Sequence, residues 1–103
     1  MKALALIALL GCQSSDVSRA LGAECTSNKE CDDVCAVGAD WPDGMCTQSC
    51  MLDADCPVDA ACTDDLAGIC AYRCTVDENC AFLGIGYHCA TLAKSQEAVC
   101  IGR

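Results

Sequence analysis

Cys50-Met-Leu-Asp-Ala-Asp-Cys56 is one of three copies of a single frame, the others being Cys25-Thr-Ser-Asn-Lys-Glu-Cys31 and Cys74-Thr-Val-Asp-Glu-Asn-Cys80. The copies align without a gap, and their starts lie 25 and then 24 residues apart. Self-similarity at a short fixed period is the signature of a repeated supersecondary unit. Each copy opens a set of four cysteines: Cys25, Cys31, Cys35 and Cys46; Cys50, Cys56, Cys62 and Cys70; Cys74, Cys80, Cys89 and Cys100. Residues 25–49, 50–73 and 74–103 are therefore read as three tandem units.

Within a unit the gap of five residues between the first and second Cys never varies. The second gap runs 3, 5 and 8, and the third 10, 7 and 10. A fixed gap marks a rigid local turn, whereas variable gaps mark surface loops. Three residues after each first Cys stands Asn28, Asp53 or Asp77. Such side chains bond a backbone N–H two residues on, as in an Asx turn or helix cap, and this is expected to fix the short loop.

The second half of each unit reads as a β-hairpin. In the first unit, Val34-Cys-Ala-Val37 leads through Asp40-Trp-Pro-Asp-Gly44 to Met45-Cys-Thr47, and Pro-Asp-Gly is a turn signal with a stereochemical basis. The second unit has Ala61-Cys-Thr63, Asp64-Asp-Leu-Ala-Gly68 and Ile69-Cys-Ala71. The third, Tyr87-His-Cys-Ala90 to Ala98-Val-Cys-Ile101, keeps the flanks but lacks the glycine before its last strand. Met45, Ile69 and Val99, each just before a final Cys, are expected to cover the bridges from one side.

Twelve cysteines allow about 10,000 pairings, reduced to three per unit if bridges stay within units. Joining third to fourth would only staple a hairpin. First-to-third with second-to-fourth ties the leading turn to both strands, and is the expected pattern.

Composition explains why bridges are needed. Of 103 residues, 53% are hydrophobic, but 16 Ala and 13 Cys supply over half of that share. Beyond residue 12 only 20 large apolar side chains are spread along the chain. A chain this short buries roughly 60% of its unfolded surface, which leaves little to offset chain entropy. Disulfides of about 2–4 kcal/mol each make up the difference, and they persist only in oxidising compartments. The fold class expected is small and disulfide-rich: three units of short turn plus β-hairpin, elongated, with little helix.

The thirteenth cysteine, Cys12, stands apart. It closes Lys2 followed by the apolar run Ala3 to Leu10 and Gly11. A short positive region and then an apolar one is the order of a signal peptide, here residues 1–11. Eight apolar residues are too few to span a bilayer, which takes about 20.

Leu9-Leu10-Gly11-Cys12 resembles the lipobox of bacterial lipoprotein precursors. That resemblance implies diacylglycerol on the Cys12 thiol, cleavage before it, and acylation of the new N-terminus, palmitate being one such chain. Two or three acyl chains anchor stably where one does not. By the sorting rule of enteric lipoproteins, Gln13 rather than Asp implies the outer membrane of the cell envelope. Residues 12–24 read as a lipidated tether, spanning on the order of 20 Å over residues 13–24 as a random coil. The alternative is ordinary secretion with a cut after Ala20-Leu-Gly22, just before Ala23.

The invariant Cys-x5-Cys, the acid or amide before the second Cys, and Gly-x-Cys at the end of a unit are similar to Dickkopf-type N-terminal cysteine-rich segments. They also resemble the four-Cys modules of tumour-necrosis-factor receptors. Both resemblances cover residues 25–103, imply an elongated binding rod, and bring no catalytic residues.

Catalysis has no constellation to rest on. There is no Cys-x-x-Cys for redox work. Thiolate metal sites need tighter Cys or Cys/His spacing than this chain, with its one His, provides. His88 beside Cys89 would be a nucleophilic pair only with a free thiol, which an even count within the units argues against. Asp53, Asp55, Asp59, Asp64 and Asp65 are candidate oxygen ligands for calcium, but they read first as a solvated, turn-forming acidic face. Trp41, at its turn tip, is the single best contact candidate, with cover for the neighbouring bridges as the competing role.

The net charge of −9 repels phosphate backbones, so nucleic acid is not an expected partner. No cofactor or metal is expected. The reading is a lipid-anchored envelope protein whose units bind a protein or glycan ligand or serve as a structural spacer. The alternative is a secreted inhibitor or toxin-like effector using the Asp40–Gly44 loop.

Overall fold

The computed structural model describes residues 19–102. Residues 1–11, Cys12, Gln13 and the first part of the tether lie outside the described residues. Three antiparallel hairpins follow one another: β1 (Val34–Ala36) with β2 (Met45–Thr47), β3 (Ala60–Thr63) with β4 (Ile69–Tyr72), and β5 (His88–Thr91) with β6 (Ala98–Ile101). Helix among the described residues is confined to 3₁₀ segments: η1 (Asn28–Glu30), η2 (Asp53–Asp55), η3 (Asp64–Leu66) and η4 (Asp77–Leu83). No helix among them is long and apolar enough to cross a membrane.

All twelve cysteines of the units are bridged, first to third and second to fourth. The pairs are Cys25–Cys35 and Cys31–Cys46, Cys50–Cys62 and Cys56–Cys70, Cys74–Cys89 and Cys80–Cys100. In every hairpin the third and fourth Cys are direct cross-strand partners: Cys35 faces Cys46, Cys62 faces Cys70, and Cys89 faces Cys100. Each nevertheless bonds a Cys of the leading turn, so the two bridges clamp that turn onto both strands.

The glycine before each of the first two final strands has a double reason. Gly44 and Gly68 hold φ of +75° and +72°. A Cβ on Gly44 would also collide with the Cys25 carbonyl oxygen, and one on Gly68 would lie 3.2 Å from that of Cys50. The third hairpin, lacking this glycine, turns through Gln96 at φ +65°.

Final strands also pair on their other side, with the segment leading into their own unit. Cys46 N–H donates to Ala23 C=O (2.7 Å) and Cys70 N–H to Gln48 C=O (3.1 Å). Bridges Ser49 with Ile69 and Arg73 with Val99 repeat the same placement. Because the lead-in of one unit is the exit of the unit before it, the chain stitches units together as it passes. Thr47, fully buried, adds a bond from its Oγ1 to the Cys70 carbonyl at 2.6 Å.

One expectation changes. Residues 19–24 are not a free tether: Leu21 is 1% exposed, Gly22 N–H donates to Cys46 C=O at 2.8 Å, and Tyr72 Oη donates to Leu21 C=O at 2.8 Å. They supply the strand-like segment that covers β2, as later lead-ins cover β4 and β6. Gly102 N–H donates to Asp40 C=O at 2.8 Å, so the third unit closes on the first. One apolar cluster, including Leu21, Trp41, Met45, Leu66, Tyr87 and Ile101, therefore runs through all three units. A second cluster holds only Cys25, Cys31, Cys35 and Cys46.

Candidate functional site

The polar residues of the repeated frame are occupied in holding it. Oδ1 of Asn28, Asp53 and Asp77 accepts the N–H of Cys35, Cys62 and Cys89, at 2.9 Å in each unit. The acceptor role expected of these residues is real, but its donor is the third Cys across the unit, not an N–H two residues on. The short loop is pinned instead by the residue before the second Cys. Glu30 accepts from Thr26 N–H (2.7 Å), Asp55 from Met51 and Leu52 N–H (2.9 and 3.1 Å), and Asn79 from Thr75 and Val76 N–H (2.8 and 3.2 Å).

Three of the five acids weighed as calcium ligands, Asp53, Asp55 and Asp65, have partners of their own. Asp53 Oδ2 meets Arg73 Nη2 at 3.1 Å. The hydrogen bonds from Met51 and Leu52 hold Asp55 below the ordinary carboxylate pKa of 3.8. Asp65 accepts from Lys94 and Ser95 N–H (2.7 and 3.0 Å), joining the tips of the second and third hairpins. Partial burial works against its charge, yet these bonds outweigh it and its pKa is lowered. The metal-type residues that do converge among the described residues are cysteines. Three sulfurs in each unit, such as those of Cys25, Cys31 and Cys46, lie within 4.8 Å of one another because the two bridges stack, and all are in disulfides.

His88 is exposed, with Nδ1 3.8 Å from Asp77 Oδ2, and its neighbour Cys89 is bridged to Cys74. No nucleophilic pair forms there. Trp41 is 6% exposed and belongs to the core, so it is not the exposed contact considered for it. Its loop is covered too: Asp40 C=O accepts from Gly102, and a Cβ on Gly86 would fall 3.2 Å from Pro42. The Asp40–Gly44 loop is thus a seam between the first and third units rather than a projecting finger.

Tyr87 lies at this seam, 5% exposed, and its hydroxyl finds no hydrogen-bond partner among the described residues. Burial, with the carboxylates of Asp43 and Glu24 adding repulsion toward a phenolate, pushes its pKa up to about 12.

An open groove with both polar and apolar walls lies elsewhere. Val58, Asp59, Tyr72, Arg73, Asn79 and Phe82 line an open groove of about 550 Å³ between the second and third units. Val58 is 91% exposed and Phe82 38%. The Phe82 and Tyr72 rings meet edge to face with centroids 4.9 Å apart. Arg73 is oriented by Asp53 and by Nε donating to Ala60 C=O at 3.3 Å. Burial raises the Tyr72 phenol pKa, and Asp59 adds to the effect. Sequence reading did not bring these residues together. The available signal was apolar residues, Val58 and Phe82, in the variable gap between second and third Cys, where polar loops are the norm.

The chain matches no protein-family model, no curated protein and no solved structure.

Proposed function

We propose that this is a lipid-anchored, disulfide-stapled protein of the bacterial cell envelope, acting without catalysis as a binding or structural module. The observation that carries the reading is the depth at which Leu21 is buried. Ordinary secretion with a cut before Ala23 would remove Leu21 and Gly22, and with them the bonds to Cys46 and Tyr72. Taking a fully buried Leu out of a core costs about 2–5 kcal/mol when only its side chain is lost. A cut before Cys12 keeps these residues whole.

The bridging pattern supports the same reading. Twelve cysteines satisfy one another, which leaves Cys12 available for acylation. The clamped units and the pairing of acids with backbone N–H groups suit a rigid platform for a protein or glycan ligand, or a spacer.

Detergent phase partitioning tests the anchor. Wild type is expected in the detergent phase and Cys12→Ala in the aqueous phase. Both in the aqueous phase would refute it.

A further inference from the structure

We propose that the groove between the second and third units is the membrane-facing surface of this protein, with Val58 and Phe82 entering the interfacial layer of the bilayer that holds the Cys12 lipid. The inference rests on the lipid-anchor reading above.

Reach comes first. The docked part of the chain starts by Arg19, whose carbonyl accepts Asp32 N–H at 3.2 Å and whose Nε lies 3.6 Å from Asp32 Oδ1. Seven steps separate it from Cys12. Even fully extended these cover at most about 25 Å. A lipid at Cys12 therefore keeps the folded units close to the membrane, and the face near the start of the docked chain is the one held nearest to it.

That face includes the groove. Tyr72, one of its walls, donates its hydroxyl to Leu21 C=O, two residues from Arg19. Its other ring contact is Phe82, so the chain start, Tyr72 and Phe82 are consecutive neighbours.

The chemistry agrees with the position. Val58 and the outer part of Phe82 offer exposed apolar surface, while Tyr72 and Arg73 are side chains with an apolar body and a polar tip, the type that settles at a lipid–water boundary. An aliphatic and aromatic face laid in the interface is buried by about 5–10 Å. The bulk of the surface is acidic, with a net charge of −9, and is held off anionic headgroups. An apolar face beside the anchor gains from contact where that acidic surface does not.

The test uses acylated full-length protein reconstituted into phosphatidylcholine vesicles with brominated acyl chains. Tryptophan is introduced singly as Val58→Trp, Phe82→Trp or Ile85→Trp, over the buried Trp41 background. Ile85, 95% exposed but outside the groove, is the control for exposure alone. Burial in the interface should cut the added emission at positions 58 and 82 by at least about twofold and leave that at 85 nearly unchanged. Val58 is almost fully exposed, so its substitution leaves packing intact should the one at Phe82 disturb the third unit.

Acylated protein with equal quenching at all three positions, or with none, overturns the membrane-facing assignment and leaves the anchor standing; a groove open to a protein or glycan ligand would give the latter. Protein whose intact mass carries no lipid on Cys12 overturns the anchor and this inference together.

Discussion

Asp77 does in the third unit what Asn28 does in the first: one side-chain oxygen receives the N–H of the third Cys. Asp77→Ala leaves that N–H without its acceptor and should cost about 1–3 kcal/mol, whereas Asp77→Asn keeps the oxygen and should cost less than half as much. Denaturant midpoints under non-reducing conditions check this, and equal losses would contradict it. The acid and amide positions of the frame were legible in the sequence. Their partners were not, because the donors stand 7, 9 and 12 residues away, on strands whose placement only the bridges fix.

Tyr87 is the opposite case, a buried hydroxyl with nothing to bond among the described residues. Tyr87→Phe should be neutral, or stabilising by up to about 1 kcal/mol, since no hydrogen bond is lost. Its folded pKa of about 12 stands above the ordinary 10.0. The neutral phenol is thus favoured by folding, and the associated stability is complete below pH 10 and lost as pH rises through 10 toward 12. The variant should flatten that alkaline loss; an unchanged alkaline slope would argue against the assignment. For Asp55 and Asp65 the sign reverses. Their lowered pKa values give stability that is present above about pH 4 and lost on further acidification.

At the scale of the element, the hairpins follow from turn chemistry. Gly44 and Gly68 mark the first two, and the close approach of the first-Cys carbonyl explains why both sit two residues before the final Cys of their units. Gly44→Ala meets both a left-handed φ and a backbone collision. Gly38→Ala, at φ +118° with open space around it, meets only the first. The first substitution should lower the melting temperature clearly more than the second, the conformational part alone being on the order of 1–2 kcal/mol. Equal shifts would show that the approach to Cys25 is unimportant. The third hairpin formed without its glycine because Gln96 accepts the left-handed conformation, held by Gln96 N–H to Leu92 C=O at 3.0 Å and its Nε2 to Ala93 C=O at 2.9 Å.

Across the whole molecule, the repeat count and the class of fold were readable from cysteine spacing alone. The closure of the third unit on the first was not, since Gly102, Asp40 and Pro42 carry no periodic signal. That closure is why a chain poor in large apolar residues still has one shared core, and why Trp41 is inside it. Gly102→Ala places a Cβ against the Ala39 carbonyl and 2.8 Å from Pro42 Cδ, while Gly84→Ala meets nothing within 4 Å. Hydrogen exchange should quicken around Trp41 and Tyr87 in the first variant and stay local in the second.

The position of the folded boundary also bears on where the mature chain starts, because the first unit is incomplete without Leu21 and Gly22. Intact mass of the protein taken from its native membrane decides this most directly. The expected mass is that of a chain beginning at Cys12 with diacylglyceryl and acyl additions, less twelve hydrogens for six disulfides. A lipid-free chain beginning at Ala23 would contradict it.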